Sequence, residues 1–191
     1  MIQALARRGL LLKQDKQLPS VVGLVTGESL RVSWWSHPQA RLIFSVLVEL
    51  ADHPDVQFAK LISGKDTLVH RRLWPALLAV GSSGERWQNE GLSDAGRRLF
   101  ASVAREGSVE GEGKQAKDLA VRLLAVASER HTESGKHVLV LESWKSWAAR
   151  KRIKALSSVS EARRLLEEAT VALGAPLTSL PWVRLETRAR R

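Results

Sequence analysis

The stretch AKLISGKDTLVHRRLWPALLAV, residues 59–80, gathers Lys60, Lys65, His70, Arg71 and Arg72 around one tight turn, with Asp52 a few residues upstream. Such residue types support two kinds of chemistry. A lysine whose pKa is lowered can attack a sugar aldehyde or an abasic site as a Schiff-base nucleophile. A neighbouring histidine or aspartate can then move the proton. On that reading Lys60, Lys65, His70 and Asp52 are the catalytic candidates of a DNA-repair site of the glycosylase or AP-lyase type. The same cations would also line an exposed rim that holds phosphates, with Arg71 and Arg72 offering forked donors. The spacing does not demand a nucleophile, so phosphate binding is the first expectation.

A metal site has less support. SWWSHP and ELADHPDV supply His37, Asp52, His53 and Asp55, and imidazole with carboxylate suits several divalent metals. No H-x-H, H-x-x-x-H or H-x-x-E-H spacing is present, however, and His-Pro at a helix entrance with Asp-His-Pro at its exit reads as capping. The chain has no cysteine, which removes disulfides, thiolate metal sites and cysteine nucleophiles. There is no Walker loop, no G-x-G-x-x-G turn and no G-x-S-x-G elbow. Neither a metal nor a cofactor is expected.

The candidates need elements to position them. VQFAKLI, the turn SGK and DTLVH read as a β-hairpin, followed by a helix over about 71–80 with Pro75 in its first turn. Before it, residues 2–14 read as a helix, SVVGLVTGESLRVSWW as two strands, and 37–50 as an amphipathic helix. GSSGERWQNEG reads as an internal boundary. Beyond it come a helix capped by Ser93, a helix over about 114–127, a second hairpin in RHTESGKHVLVL, and the basic helix ESWKSWAARKRIK. A capping box Ser158-x-x-Glu161 then opens the last helix, and GAPLTSLPW reads as extended. The fold class is α+β, with a helix–hairpin–helix region over 1–82, a second region over 92–175 and an extended basic tail over 176–191. The turn Ser-Gly-Lys occurs at 63–65 and again at 134–136. Because S-G-K makes a good turn anywhere, coincidence explains the repeat more simply than duplication.

Composition narrows the partner. Thirty Lys and Arg against twenty Asp and Glu leave +10, with a pI near 10.6, a surplus that draws polyanions because each neutralised phosphate releases counterions. No segment reaches the roughly 18 apolar residues of a membrane span. The apolar run GLLL after the first arginines is too short for a secretory signal, so no membrane association and a cytoplasmic location are expected. Seven Trp and no Tyr make the Trp positions informative. In an extended SWWS, Trp34 and Trp35 would face opposite ways, and the exposed Trp35 could stack on a base. The basic helix supplies Lys145, Arg150, Lys151, Arg152 and Lys154 behind Trp144 and Trp147. Arg184, Arg188, Arg190 and Arg191 would form a flexible arm.

The order helix, connection, amphipathic helix and hairpin over residues 93–141 resembles a winged helix. The resemblance implies that the second helix enters the major groove and presents Lys114, Gln115, Lys117, Asp118 and Arg122. The hairpin would be the wing, with Lys136 and His137 near phosphates. The leading expectation is a protein that binds duplex DNA through a basic face, in genome maintenance or regulation. Its contacts would be Arg71, Arg72, Lys114, Lys117, Arg122, Lys136, Lys145, Arg150, Lys151, Arg152 and Trp35. The DNA-repair enzyme and an RNA- or protein-interaction module are the alternatives.

Overall fold

A computed structural model of the chain describes residues 1–131 and 137–189, with the side chains of 1–129 and 138–185. The elements run α1 (Ile2–Arg8), β1 (Leu10–Leu12), α2 (Val21–Thr26), α3 (Ala40–Asp52), β2 (Val56–Ala59), β3 (Thr67–His70), α4 (Trp74–Gly81) and α5 (Arg86–Asn89). They continue α6 (Asp94–Glu106), β4 (Ser108–Gly111), α7 (Gly113–Val121), β5 (Val126–His131), β6 (His137–Glu142), α8 (Trp144–Lys151), α9 (Val159–Leu173) and α10 (Pro181–Ala189). The fold is mixed helix and sheet, as the α+β patterning predicts.

Two three-stranded antiparallel sheets, ordered β1-β3-β2 and β4-β6-β5, share one topology. In each, a strand that follows a helix pairs with the second arm of a later hairpin. Alternation of side chains across the first sheet divides its residues between two cores. Leu11, Val56, Leu68 and the partly buried Phe58 face a core closed by Leu5, Val21, Val22, Ile43, Leu47 and Leu50. Leu10, Leu12 and Val69 face a central core shared with α4, α8 and α9. A sheet covered on both faces wants continuous apolar strands, which is why LLL forms a strand. The second sheet turns Leu141 towards Leu92, Val103, Ala116 and Leu119, while Val126 joins the central core.

Five tryptophans, Trp74, Trp87, Trp144, Trp147 and Trp182, lie in that central core. A buried indole needs a partner for its N–H, and each has one. Trp74 donates to the Val69 carbonyl, Trp144 to Leu123, Trp147 to Gln57 Oε1, Trp87 to Glu85 and Trp182 to Glu167. The Trp147–Gln57 bond (2.8 Å) ties α8 to β2 across ninety residues of sequence. A Cβ at Gly81 would overlap the Trp144 indole, so only glycine allows this approach.

Several local expectations give way to packing. The first helix stops at Gly9, whose φ is +83°, and the chain turns into β1. SVVGLVT, read as a strand, is helix α2: the Ser20 hydroxyl accepts from the Gly23 N–H, and Val21 and Val22 dock into the N-terminal core. Tertiary burial outweighs β-branched propensity there. Trp34–Ser36 is a 3-10 turn rather than a strand. GSSGERWQNEG is folded: α5 has a full capping box between Glu85 and Gln88. The fully buried Gln88 amide donates to the Gly81 and Leu123 carbonyls and accepts from the Glu85 N–H. The helix expected to reach Ala127 ends at Val121, and Leu123 takes a positive φ before β5. GAPLTSLPW forms a 3-10 turn and the start of α10. No helix among the described residues is long and apolar enough to cross a membrane.

Candidate nucleic-acid interface

Charge is unevenly spread along the chain. Residues 1–72 hold ten basic against six acidic side chains, 73–142 nine against ten, and 143–191 eleven against four. The region resembling a winged helix is therefore the least basic part, and the excess must be sought elsewhere.

It converges where α8 ends. Trp144 and Trp147 bury one face of α8, and Lys151, one turn on, lays its ammonium 5.0 Å from the centroid of the Trp74 ring. Burial pushes the Lys151 ammonium below its ordinary pKa, with Arg150 adding to the fall and Glu142 opposing it. The helix closes with the Arg152 N–H on the Ala149 carbonyl and the Ile153 N–H on the Ala148 carbonyl, a Schellman arrangement. Arg152 holds the left-handed position (φ 55°, ψ 49°). The half-buried Ile153 and Leu156 then anchor the chain, and the Leu156 N–H donates to the Pro75 carbonyl. Arg152 and Lys154 stay exposed between these anchors.

Trp74 is also the neighbour of Arg71 and Arg72, which form the 3-10 turn that opens α4. Arg72 Nη2 donates to the Arg7 carbonyl (3.2 Å) and so caps α1, whose last residues are Arg7 and Arg8. Two cationic groups thus adjoin Trp74: Arg7, Arg8, Arg71 and Arg72, joined through the Arg72–Arg7 bond, and Arg150, Lys151, Arg152 and Lys154 at the end of α8. Together they make up a belt of eight cations. Among the described residues two of the eight pair with carboxylates: Arg71 with Asp55 (3.1 Å) and Arg150 with Glu142 through two bonds of 3.0 and 2.6 Å. The Glu142 hydrogen bond raises the Arg150 pKa further. Beside Arg71, burial lowers the His70 pKa against the pull of Asp55, and Arg72, Arg71 and His53 lower it more. A row of guanidinium and ammonium groups can hold phosphates.

The remaining sequence candidates are distributed elsewhere. Lys145 is exposed at the opposite end of α8, and Lys114 and Lys117 are exposed on α7. Arg122 is not a groove-facing contact. Its side chain is only 11% exposed, bridges Asp118 at 2.9 Å and donates to the carbonyls of Trp87, Gln88 and Glu90, capping α5 from inside the molecule. Lys136 lies outside the described residues, as do the side chains of His137, Arg188, Arg190 and Arg191. Arg184 is no free arm either: its guanidinium packs against Gly64. Trp35 is 61% exposed, but its ring stacks on Trp34 at 4.0 Å instead of pointing away from it.

The catalytic constellation is not assembled. Lys60 and Lys65 flank the turn of the hairpin, where they pair with Asp66 (2.7 Å) and Asp15 (2.6 Å). His70 pairs in register with Val56 at the other end of the strands. Val56 and Lys60 are four residue steps apart, about 13 Å along an extended chain. Asp52 closes α3 on the His70 side. His37 and His53 act as caps, each ring accepting the backbone N–H two residues on. Among the described residues no group of three or more His, Cys, Asp or Glu comes together to hold a metal. Sequence reasoning missed Arg7 and Arg8 as part of the belt. The only signal for them was a pair of arginines before a helix-ending glycine.

No family model, no curated protein and no solved structure matches the chain.

Proposed function

We propose that the protein binds duplex DNA through the belt, with Arg7, Arg8, Arg72, Lys151, Arg152 and Lys154 on phosphates. The observation that carries this reading is Arg152. Helices α1, α2, α6 and α9 all end in a glycine at positive φ, namely Gly9, Gly27, Gly107 and Gly174. At the matching place after α8 the chain uses arginine. A non-glycine residue held in the left-handed region costs roughly 1 kcal/mol or more, and such outliers point to function. A side chain kept at that cost, in an exposed row of cations, supports a role in gripping a polyanion.

The element order supports duplex DNA as the ligand. Both halves run helix, strand, helical segment and hairpin, with the last strand in the middle of the sheet, an order that resembles winged helices. On this reading Lys114 and Lys117 of α7 add positioning contacts, while the belt supplies most of the affinity.

Fluorescence anisotropy on a labelled duplex tests the proposal. Six phosphate contacts give a slope of log K against log salt of about −5.4. Charge reversal by Lys151→Glu with Arg152→Glu should weaken binding by two orders of magnitude or more. Unchanged duplex affinity in that double variant overturns the proposal.

A further inference from the structure

A second surface lies apart from the belt and combines aromatic rings with lysines. Between β1 and the hairpin turn is a depression of about 270 Å³ lined by Lys13, Gln14, Trp34, Lys60, Lys65 and Asp66. Its size lies just below that of ordinary small-ligand pockets, enough for a single sugar-phosphate or base. One wall is Trp34, itself buried. Trp35 stacks on that wall at 4.0 Å and is 61% exposed, with Phe44 tilted against it at 5.8 Å. The Gln14 amide donates to the Val32 carbonyl at 2.6 Å, so the loop that carries both tryptophans is tied to the rim of the depression.

Exposed indoles are costly to leave bare, and the neighbouring Val32 is exposed as well. A protein surface would suit the rings alone. The lysines make the difference. Lys13 has no carboxylate partner among the described residues. Lys60 and Lys65 each spend one donor on a carboxylate, and an ammonium has three. Lys65 is half exposed at its side chain and Lys60 about a third, so both can add a phosphate oxygen without breaking the pair. An aromatic platform beside a cationic groove is the arrangement that holds unpaired bases, because every base has a face to stack and a phosphate to neutralise.

We propose that Trp35 and the Lys13–Lys60–Lys65 depression form a binding site for an unpaired nucleotide of single-stranded DNA. The base stacks on the exposed Trp35 ring, and the adjoining phosphate enters the depression. This goes beyond duplex binding through the belt and does not rest on it.

The test uses the full chain carrying Lys151→Glu and Arg152→Glu, so that binding through the belt does not mask the site. The probe is a labelled oligo(dT) of about ten nucleotides, read by anisotropy. Trp35→Ala should weaken binding about ten-fold or more, within the range for loss of one stacked base, whereas Trp35→Phe should retain most of it. Lys13→Ala with Lys60→Ala should weaken binding and flatten the salt slope by about 1.4, two contacts at about 0.7 each for a single strand. In the otherwise unaltered chain, none of these changes should alter duplex affinity. Because Trp35 is largely exposed, the melting temperature of Trp35→Ala should match the parent, which separates lost binding from lost fold. Failure to bind oligo(dT), or equal affinity in parent and Trp35→Ala, overturns the proposal. If Trp35→Ala changes sedimentation while oligo(dT) affinity stays constant, the surface joins protein chains and the proposal is likewise overturned. Any of these results leaves duplex binding through the belt standing.

Discussion

Replacing Arg152 by glycine should make the protein more stable and a poorer binder at once. Arg152 occupies the left-handed C′ position of a Schellman motif (φ 55°, ψ 49°), where glycine is at ease and a side chain costs roughly 1 kcal/mol. Part of that gain is returned because glycine has more freedom in the unfolded chain. A net stabilisation of about 0.5 kcal/mol remains, which for a chain of this size raises Tm by about 1–2 °C. Arg152 pairs with no carboxylate among the described residues, so no ion pair is lost. The same substitution removes one of the six proposed phosphate contacts. At 0.1 M salt the loss of one phosphate contact weakens duplex binding about eight-fold, or about 1.2 kcal/mol, and reduces the salt slope from about −5.4 to about −4.5. Differential scanning calorimetry and a salt titration of duplex anisotropy read the two effects separately. Arg152→Lys keeps the charge and the strain, so it should bind nearly as the parent does, with no rise in Tm. The reasoning is refuted if Arg152→Gly binds duplex as tightly as the parent across the salt range. It is equally refuted if Arg152→Gly lowers Tm, because the cap would then not be strained.

Arg122→Ala should cost about 3 kcal/mol of stability, since it strips a mostly buried cation from Asp118 and from the Trp87, Gln88 and Glu90 carbonyls. Duplex affinity per folded molecule should not change, and a specific affinity loss by anisotropy at equal folded fraction would return Arg122 to the binding surface. Asp15 gives a pH dependence. Burial by itself would raise its carboxyl pKa, but the Lys65 ammonium and the Gln17 and Leu18 N–H groups outweigh it and hold the folded value below 3.8. The ionised form therefore stabilises the fold above about pH 4, and that contribution is lost as pH falls through the lower folded value. Asp15→Asn should be less stable than the parent by about 1 kcal/mol at pH 7. The difference should shrink below pH 4, and thermal melts that keep a constant gap down to pH 3 would contradict it.

The patterns that could be read from sequence were those fixed by local chemistry. Ser93 and Ser158 cap their helices through the Gly96 and Glu161 N–H groups as their spacing predicts, and β2 and β3 pair where VQFAKLI and DTLVH flank the first Ser-Gly-Lys. Elements fixed by distant burial were not legible. Val21 and Val22 favour a strand until a core recruits them to a helix, and Arg122 looks like part of an exposed face until the chain ends α7 one residue earlier. The candidate site divides the same way. Arg71, Arg72, Arg150, Lys151 and Arg152 were legible as cations, but their union depends on Lys151 meeting Trp74 across the central core, and no spacing records that. The His70–Lys60 pairing failed for a simple reason: neighbours in a hairpin sequence stand at opposite ends of its strands.

The two halves of the chain share more than the Ser-Gly-Lys tripeptide. β2 and β5, β3 and β6, and α4 and α8 each start seventy residues apart, and both sheets have the same strand order. The two halves share strand order and spacing, while their residues differ with their surroundings. α4 reads WPALLAVG and is buried from Ala76 to Gly81, so it is apolar on every side, as a helix enclosed by others must be. α8 reads WKSWAARK and buries only its tryptophan face. Because α4 fills the centre, the outer face of α8 is free of any packing duty, and cations there cost the core nothing. The first half carries residues 13–55 between its first strand and its hairpin, and the second only 112–125. That extra length holds α2, both stacked tryptophans and Lys13. The outward face of α8 and the long segment after β1 therefore provide two separate surfaces, the belt and the aromatic depression.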